Sequence, residues 1–106
     1  MDDFVKVARK EELAPGTGKT VDAAGRPVAL FNVGGTYYAV HNICRHRGGP
    51  LGEDELSDRV VTCPWHGWQY DVATGEKLAN PEIHVEKFEV LVDRDDVWVR
   101  KEALRG

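Results

Sequence analysis

The stretch Pro27-Val-Ala-Leu-Phe-Asn-Val33-Gly-Gly-Thr36-Tyr-Tyr-Ala-Val-His41 decides the fold class of this chain of 106 residues. Two runs rich in β-branched and aromatic residues flank Gly34-Gly35. Glycine tolerates the positive φ angles that a two-residue hairpin turn requires, so the stretch predicts an antiparallel β-hairpin. A second hairpin is predicted downstream, with strands over Val85–Asp93 and Asp96–Lys101 joined across Arg94-Asp95.

The other predicted elements are short and are separated by turn residues. Apolar and polar residues alternate, or β-formers cluster, in four further runs, which are Phe4–Ala8, Thr20–Asp22, Arg59–Thr62 and Trp68–Val72. The segment Lys10–Gly16 is too short for a helix and predicts a single turn, and Thr74-Gly75 predicts another.

Between about residues 42 and 74, glycine, proline and acidic residues interrupt the strand pattern. We therefore expect one all-β domain over residues 1–106, built as an antiparallel sandwich or barrel. A loop-rich subdomain over residues 42–74 is expected to be inserted between its hairpins.

Composition narrows the classes of function. The chain is 42% hydrophobic and 30% charged with a formal net charge of −4, so it reads as globular and offers no basic stripe for nucleic acid. No apolar run approaches the roughly 20 residues that span a bilayer, and the start lacks the pattern of a secretory signal. We expect no nucleic-acid or membrane partner, a monomeric state, and a reducing, cytoplasmic compartment.

Working outward from the first hairpin, Cys44-Arg-His46 and Cys63-Pro-Trp-His66 contain both cysteines and two of the four histidines. Two thiolates and two imidazoles suit a 2Fe-2S centre in which histidines replace two cysteines on one iron. The thiolates balance the charge of the oxidised core, and one added electron leaves the site singly negative. We expect His46 and His66 to face solvent, since imidazoles can pass electrons outward.

Three other readings use the same residue types. A structural zinc site takes two cysteines and two histidines, but its spacing usually groups the cysteines together, whereas each loop here carries one of each. A disulfide between Cys44 and Cys63 would need no histidine beside either residue. A catalytic Cys/His pair is the third reading, and it is the least favoured.

The sequences Cys44-Arg-His-Arg-Gly48 and Cys63-Pro-Trp-His-Gly-Trp-Gln-Tyr-Asp71 resemble the two cluster boxes of the Rieske family. The flanking Tyr37–Asn42 and Thr74-Gly-Glu76 are similar to that family as well. The resemblance implies the Rieske fold, a Rieske-type 2Fe-2S cluster, and an electron-transfer role without catalysis of its own. The ligands that it implies are Cys44, His46, Cys63 and His66.

Within the family, the chain looks like the soluble ferredoxins of multicomponent oxygenases. That likeness implies a flavin-containing reductase as electron donor and a terminal oxygenase as acceptor. The alternative is a Rieske-like small subunit of an NADH-dependent nitrite reductase or of a similar multi-subunit redox enzyme.

The sequence differs from that of the membrane-complex Rieske proteins at positions that affect the reduction potential of the cluster. Those proteins carry an extra cysteine in each box, joined as a disulfide, where this chain has Gly49 and Trp65. They also carry a serine that donates to a bridging sulfide, where this chain has Trp68, although Tyr70 matches a tyrosine that can donate to a cysteine sulfur. Fewer hydrogen bonds to sulfur predict a low to intermediate reduction potential.

The residues around the two Cys/His boxes have either two possible roles or a purely structural role. Arg45 and Arg47 either solvate the loop or form a positive rim that docks an acidic partner. Trp65 and Trp68 are expected to shield the cluster from water. Pro81 lies either in a loop that covers the cluster or in a plain turn. Packing is expected for His41, and a surface or strand position for His84.

Overall fold

The computed structural model describes residues 3–42, 56–62 and 68–101. Within these ranges the strands are β1 (Phe4–Arg9), β2 (Thr17–Ala23), β3 (Arg26–Val33), β4 (Thr36–His41), β5 (Leu56–Ser57), β6 (Val60–Thr62), β7 (Gln69–Asp71), β8 (Lys87–Phe88), β9 (Val90–Asp93) and β10 (Asp96–Arg100). Every strand pairing among them is antiparallel. The predicted all-β antiparallel class is therefore confirmed.

The strands form three sheets, ordered β1-β10-β9, β2-β3-β4-β8 and β5-β6-β7. In β3, Val28 and Leu30 belong to one buried cluster while Ala29 and Phe31 belong to another. Successive side chains of a strand point to opposite faces, so the four-stranded sheet is buried on both sides. This explains why β3 is a continuous apolar run instead of an alternating one, and it makes this sheet the central layer between two cores.

The two cores join the central sheet to different partners. The first core packs β1 and β10 against one face of the central sheet, through residues such as Ala8, Val97 and Val99. The second packs β6 and β7 against the other face, through Val61 and Tyr70. The central sheet thus holds the three-stranded sheet that leads to the predicted cluster loops.

The first predicted hairpin is confirmed. Strands β3 and β4 are joined by Gly34 and Gly35, whose φ angles are 59° and 98°. The buried Asn32 stabilises this turn, because its amide nitrogen donates to the carbonyl of Leu13 at 2.8 Å and its amide oxygen accepts from the backbone N–H of Gly35 at 2.8 Å.

Other predicted bounds differ from the structure in their extent. The turn after β1 is one turn of 3-10 helix over Lys10–Glu12. Strand β2 extends further in both directions than the predicted Thr20–Asp22, and β5 was not predicted.

The predicted strand Val85–Asp93 is wrong as a single element. Strand β8 pairs with β4 in the central sheet, whereas β9 pairs with β10 in an outer sheet. The chain changes sheets at Glu89, whose carbonyl accepts from the backbone N–H of Arg100 at 2.9 Å. Residue alternation continues through this change, so the sequence pattern does not reveal it.

The chain leaves the central sheet after β4 and returns to it beside the same strand. The backbone N–H of His41 donates to the carbonyl of Glu86 at 2.7 Å, directly before β8 pairs with β4. Strands β5, β6 and β7 all lie within this excursion. No helix in the described part of the chain is long and apolar enough to cross a membrane.

Candidate metal centre

All four predicted ligands, Cys44, His46, Cys63 and His66, lie outside the described residues. The same is true of Arg45, Arg47, Gly49 and Trp65. What the structure does describe is the strands on either side of the two ligand-bearing stretches. Their geometry decides how the two stretches are anchored.

The second stretch is anchored by a strand pair. Strand β6 ends at Thr62, and its direct partner across the pair is Gln69 of β7. The side-chain amide of Gln69 also donates to the hydroxyl of Thr62, at 3.3 Å. Residues 63–68 therefore connect two paired strands, and the ends of this connection are fixed next to one another.

The first stretch begins from a buried position on the central sheet. Asn42 is 6% exposed, and its backbone N–H donates to the carbonyl of Pro27 at 3.0 Å. Its side-chain oxygen accepts from the hydroxyl of Thr20 at 3.2 Å. The chain therefore enters the Cys44 loop from a point held by β2 and by the start of β3. His41, directly before it, is half-buried and opposite Val28, which agrees with the packing role expected for it.

Tyr70 lies at the centre of the second core. It is fully buried with Val61 and Val72, and it is paired with Val61 across β6 and β7. Tyr70 lies two residues after Trp68, where the described chain resumes beyond the stretch that bears Cys63 and His66. A tyrosine hydroxyl is both a donor and an acceptor, so the buried Tyr70 side chain retains the capacity to form hydrogen bonds.

Trp68 is half-buried against the same core and receives a cation on its ring. The ammonium nitrogen of Lys77 lies 4.7 Å from the ring centroid of Trp68, within the range of a cation–π interaction. Sequence reasoning missed Lys77. No local spacing rule relates residues 68 and 77, because the contact depends on the bridge that pairs Lys77 with Tyr70.

The turn after β7 is organised around Asp71. One carboxylate oxygen accepts from the backbone N–H of Ala73 at 2.9 Å, and the other lies 3.1 Å from Nε of Arg59. The backbone N–H of Gly75 donates to the carbonyl of Asp71 at 2.7 Å, which confirms the predicted turn at Thr74-Gly75.

Gly75 is required at its position for two reasons. Its φ is +83°, and a Cβ placed on it would lie 2.5 Å from the carbonyl oxygen of Val85. The backbone N–H of Val85 donates to the carbonyl of Gly75 at 2.8 Å, so the two segments are held at this close approach.

The loop around Pro81 borders an open groove. Pro81 and His84 are both exposed, so the surface position predicted for His84 is confirmed. The groove is lined by Thr74, Glu76, Pro81, Glu82, His84 and Lys87. No group of three or more His, Cys, Asp or Glu side chains in the described ranges could hold a metal ion.

Comparison with known proteins identifies the family. Residues 3–89 match the Rieske [2Fe-2S] domain. Ferredoxin CarAc of Metapseudomonas resinovorans is 34% identical over 101 residues, covering 93% of this chain and 94% of the relative. The ferredoxin component of biphenyl 2,3-dioxygenase from Rhodococcus jostii (strain RHA1) is also 34% identical over 101 residues, covering 94% of each chain.

A solved structure is similar over the whole length. It is the complex of reduced oxygenase and oxidized ferredoxin in carbazole 1,9a-dioxygenase, and its matching chain has a TM-score of 0.90, 31% identity and 100% coverage of both chains. The resemblance drawn from the two Cys/His boxes is confirmed by these matches, as is the ferredoxin type. The chain therefore belongs to the Rieske [2Fe-2S] domain family, whose cofactor is a Rieske-type 2Fe-2S cluster.

Proposed function

We propose that this chain is a soluble Rieske ferredoxin that carries single electrons from a flavin-containing reductase to a terminal oxygenase. The observation that carries the proposal is the match along almost the full length of two ferredoxins, at 34% identity. One of these relatives is named as a component of a dioxygenase system, and the similar solved chain belongs to a complex with an oxygenase. These names favour a carrier over the small subunit of a nitrite reductase.

The proposed ligands are Cys44 and Cys63 on one iron, and His46 and His66 on the other. The donor set fits the cofactor, because two thiolates and two imidazoles are the Rieske combination. The anchored connection between Thr62 and Gln69 supports this assignment, since it begins directly before Cys63. When bound, the cluster supplies reversible one-electron transfer, which the described side chains have no means to perform.

The residues around the two loops then have distinct tasks. Tyr70 is held in the second core and is proposed to donate its hydroxyl to a cysteine sulfur, as the family resemblance implies. Trp68 packs over the same core and limits the access of water. With Trp68 in the place of the serine, and with Gly49 and Trp65 unable to form a disulfide, we propose a low to intermediate potential.

The organisation and setting of the protein follow from the same proposal. Residues 1–106 form one domain whose cluster-binding subdomain covers about residues 42–74. The protein acts as a monomer in the cytoplasm and meets its reductase and oxygenase transiently. The return of β8 to the side of β4 supports the idea of an inserted subdomain.

The ligand assignment is tested by spectroscopy on the purified protein. Anaerobic reduction should give a rhombic EPR signal of low average g, together with two irons and two sulfides per chain. Cys63→Ser and His66→Ala should lose that signal. His84→Ala is the matched control and should retain the signal, because His84 is exposed and lies outside both ligand boxes in the sequence. A protein that is EPR-silent and contains zinc would refute the assignment.

The carrier role is tested by electron delivery. The reduced protein, mixed anaerobically with an oxidised Rieske oxygenase of the carbazole or biphenyl type, should be oxidised in a reaction whose rate falls as ionic strength rises. Arg45→Glu should slow this step if Arg45 and Arg47 form a docking rim. Tight co-purification with a nitrite reductase large subunit, and no transfer to any oxygenase, would favour the alternative function.

A further inference from the structure

Lys77 is held rigidly beside the strand that follows the second ligand loop. Its backbone N–H donates to the carbonyl of Ile83 at 2.9 Å, and Lys77 forms a bridge with Tyr70 of β7. The next residue, Leu78, donates its N–H to the carbonyl of Gln69 at 2.9 Å. The segment therefore runs along β7 like a further strand, and the position of Lys77 is set by backbone hydrogen bonds on both sides.

Two other lysines pair with carboxylates, whereas Lys77 contacts an aromatic ring. Lys6 lies 3.1 Å from a carboxylate oxygen of Asp96, and Lys19 lies 3.1 Å from one of Glu12. Across the described ranges, no carboxylate lies within ion-pair distance of the Lys77 ammonium, which instead faces the ring of Trp68 at 4.7 Å. An aromatic face attracts a cation without cancelling its charge. The half-buried Lys77 thus brings a positive charge that has no ion-pair partner among the described residues.

Trp68 connects this charge to the ligand loop. It follows His66 by two residues, so at most about 7 Å of extended chain separates their Cα atoms. It also packs against the core that contains Tyr70. A contact that fixes the indole therefore acts on the last residues of the loop that bears Cys63 and His66.

We propose that Lys77 is a positioning and potential-tuning residue for the cluster, a role that rests on the proposed ligand set. Its ammonium holds the Trp68 indole against the second core and adds a positive charge beside Trp68, which follows the proposed ligand His66 by two residues. Reduction adds one electron and makes the site singly negative, so a nearby cation stabilises the reduced form more than the oxidised form. The result is a higher reduction potential than the same loop would have without Lys77.

The test is a redox titration of the cluster-loaded protein, followed by EPR or voltammetry. In Lys77→Met, which keeps an apolar stem and removes the charge, the equilibrium constant for one-electron reduction should fall between twofold and tenfold. This corresponds to a potential about 18 to 59 mV lower, at 59 mV per tenfold change. Lys77→Gln is a second neutral variant, in case the methionine variant folds poorly. Lys77→Arg, which keeps both the charge and the contact with the ring, should restore the wild-type potential.

Lys10→Met is the matched control. Lys10 is exposed, has no ion pair in the described part of the structure, and contacts the turn of the β9–β10 hairpin in a different layer, where its backbone N–H donates to Asp95 at 2.8 Å. Its removal should change the equilibrium constant less than twofold. The inference is overturned if both neutral Lys77 variants match Lys10→Met, or if Lys77→Arg is as low in potential as Lys77→Met. A wild-type protein without a Rieske EPR signal would instead overturn the proposed ligand set, so the two failures are distinguishable.

Discussion

Replacing Gly75 with alanine should destabilise the protein more than the same change at another glycine with the same backbone conformation. Gly75 and Gly25 have φ angles of +83° and +89°, but a Cβ on Gly25 would meet nothing within 4 Å. A Cβ on Gly75 would meet the carbonyl oxygen of Val85 at 2.5 Å. Comparing Gly75→Ala with Gly25→Ala therefore distinguishes the cost of steric conflict from the cost of backbone strain, which the two variants share.

The expected magnitudes follow from these two terms. A left-handed conformation costs an alanine about 1–2 kcal/mol, and the lower entropy of the unfolded chain returns about 0.4–1 kcal/mol. Both terms apply to Gly25→Ala and Gly75→Ala alike. The contact at Gly75 adds about 1–3 kcal/mol, by analogy with overpacking, because the atom it meets is backbone held by a hydrogen bond. We expect a total loss of about 1–5 kcal/mol for Gly75→Ala.

The measurement is urea unfolding of both variants at equal cluster loading, followed by circular dichroism. The midpoint of Gly75→Ala should lie clearly below that of Gly25→Ala, and a thermal scan should show a difference of about 4 °C or more, since 1 kcal/mol corresponds to about 4–8 °C in a domain of this size. Equal stabilities for the two variants would show that the segment at Val85 yields freely, and the argument from close approach would then be wrong.

Three further predictions concern the turns and the surface charges. Ala24 has a φ of 55° in the turn between β2 and β3, so Ala24→Asn should raise the free energy of unfolding by about 0.5–1 kcal/mol in urea; a loss of stability would contradict this. Asp71→Asn should lower the free energy of unfolding by about 1 kcal/mol. Arg59→Gln should lower it by less than half as much, because the arginine side chain is 61% exposed whereas the aspartate side chain is only 13% exposed. The hydrogen bond from Lys19 is the main cause that lowers the pKa of Glu12 below its usual 4.5, so the stabilisation is present above pH 4.5 and is lost as the pH falls further. Thermal scans should therefore show a small deficit for Glu12→Gln at pH 7 that shrinks as the pH falls below 4.5; a deficit that stays constant over that range would contradict this.

The fold was predictable where it depends on local sequence. Gly34-Gly35 between two β-rich runs fixes a hairpin because few other residues accept both φ angles. The division of Val85–Asp93 was not predictable, since the apolar pattern of a strand is the same whichever sheet it joins. The two-residue strand β5 lies below the length at which alternation can be recognised.

The candidate site was predictable in its chemistry and not in its surroundings. Two Cys/His boxes identify the donor atoms from residue type alone, and the family match supports them. The cation at Lys77 could not be anticipated, because it reaches Trp68 only after the chain has turned at Gly75 and come back along β7. Contacts of this kind are set by tertiary pairing, which a single sequence does not display.

The close meeting of His41 and Glu86 has a consequence for how such carriers can be rebuilt. Neighbouring strands lie about 4.8 Å apart, so residues 42–85 start and finish at almost the same point of the central sheet. A segment with adjoining ends can be exchanged for one of different length without moving the scaffold that it leaves. The redox module of another Rieske protein, joined at these two positions and carrying its own apolar residues for the second core, could thus be transplanted onto this framework to give chimeras with a different potential and partner choice.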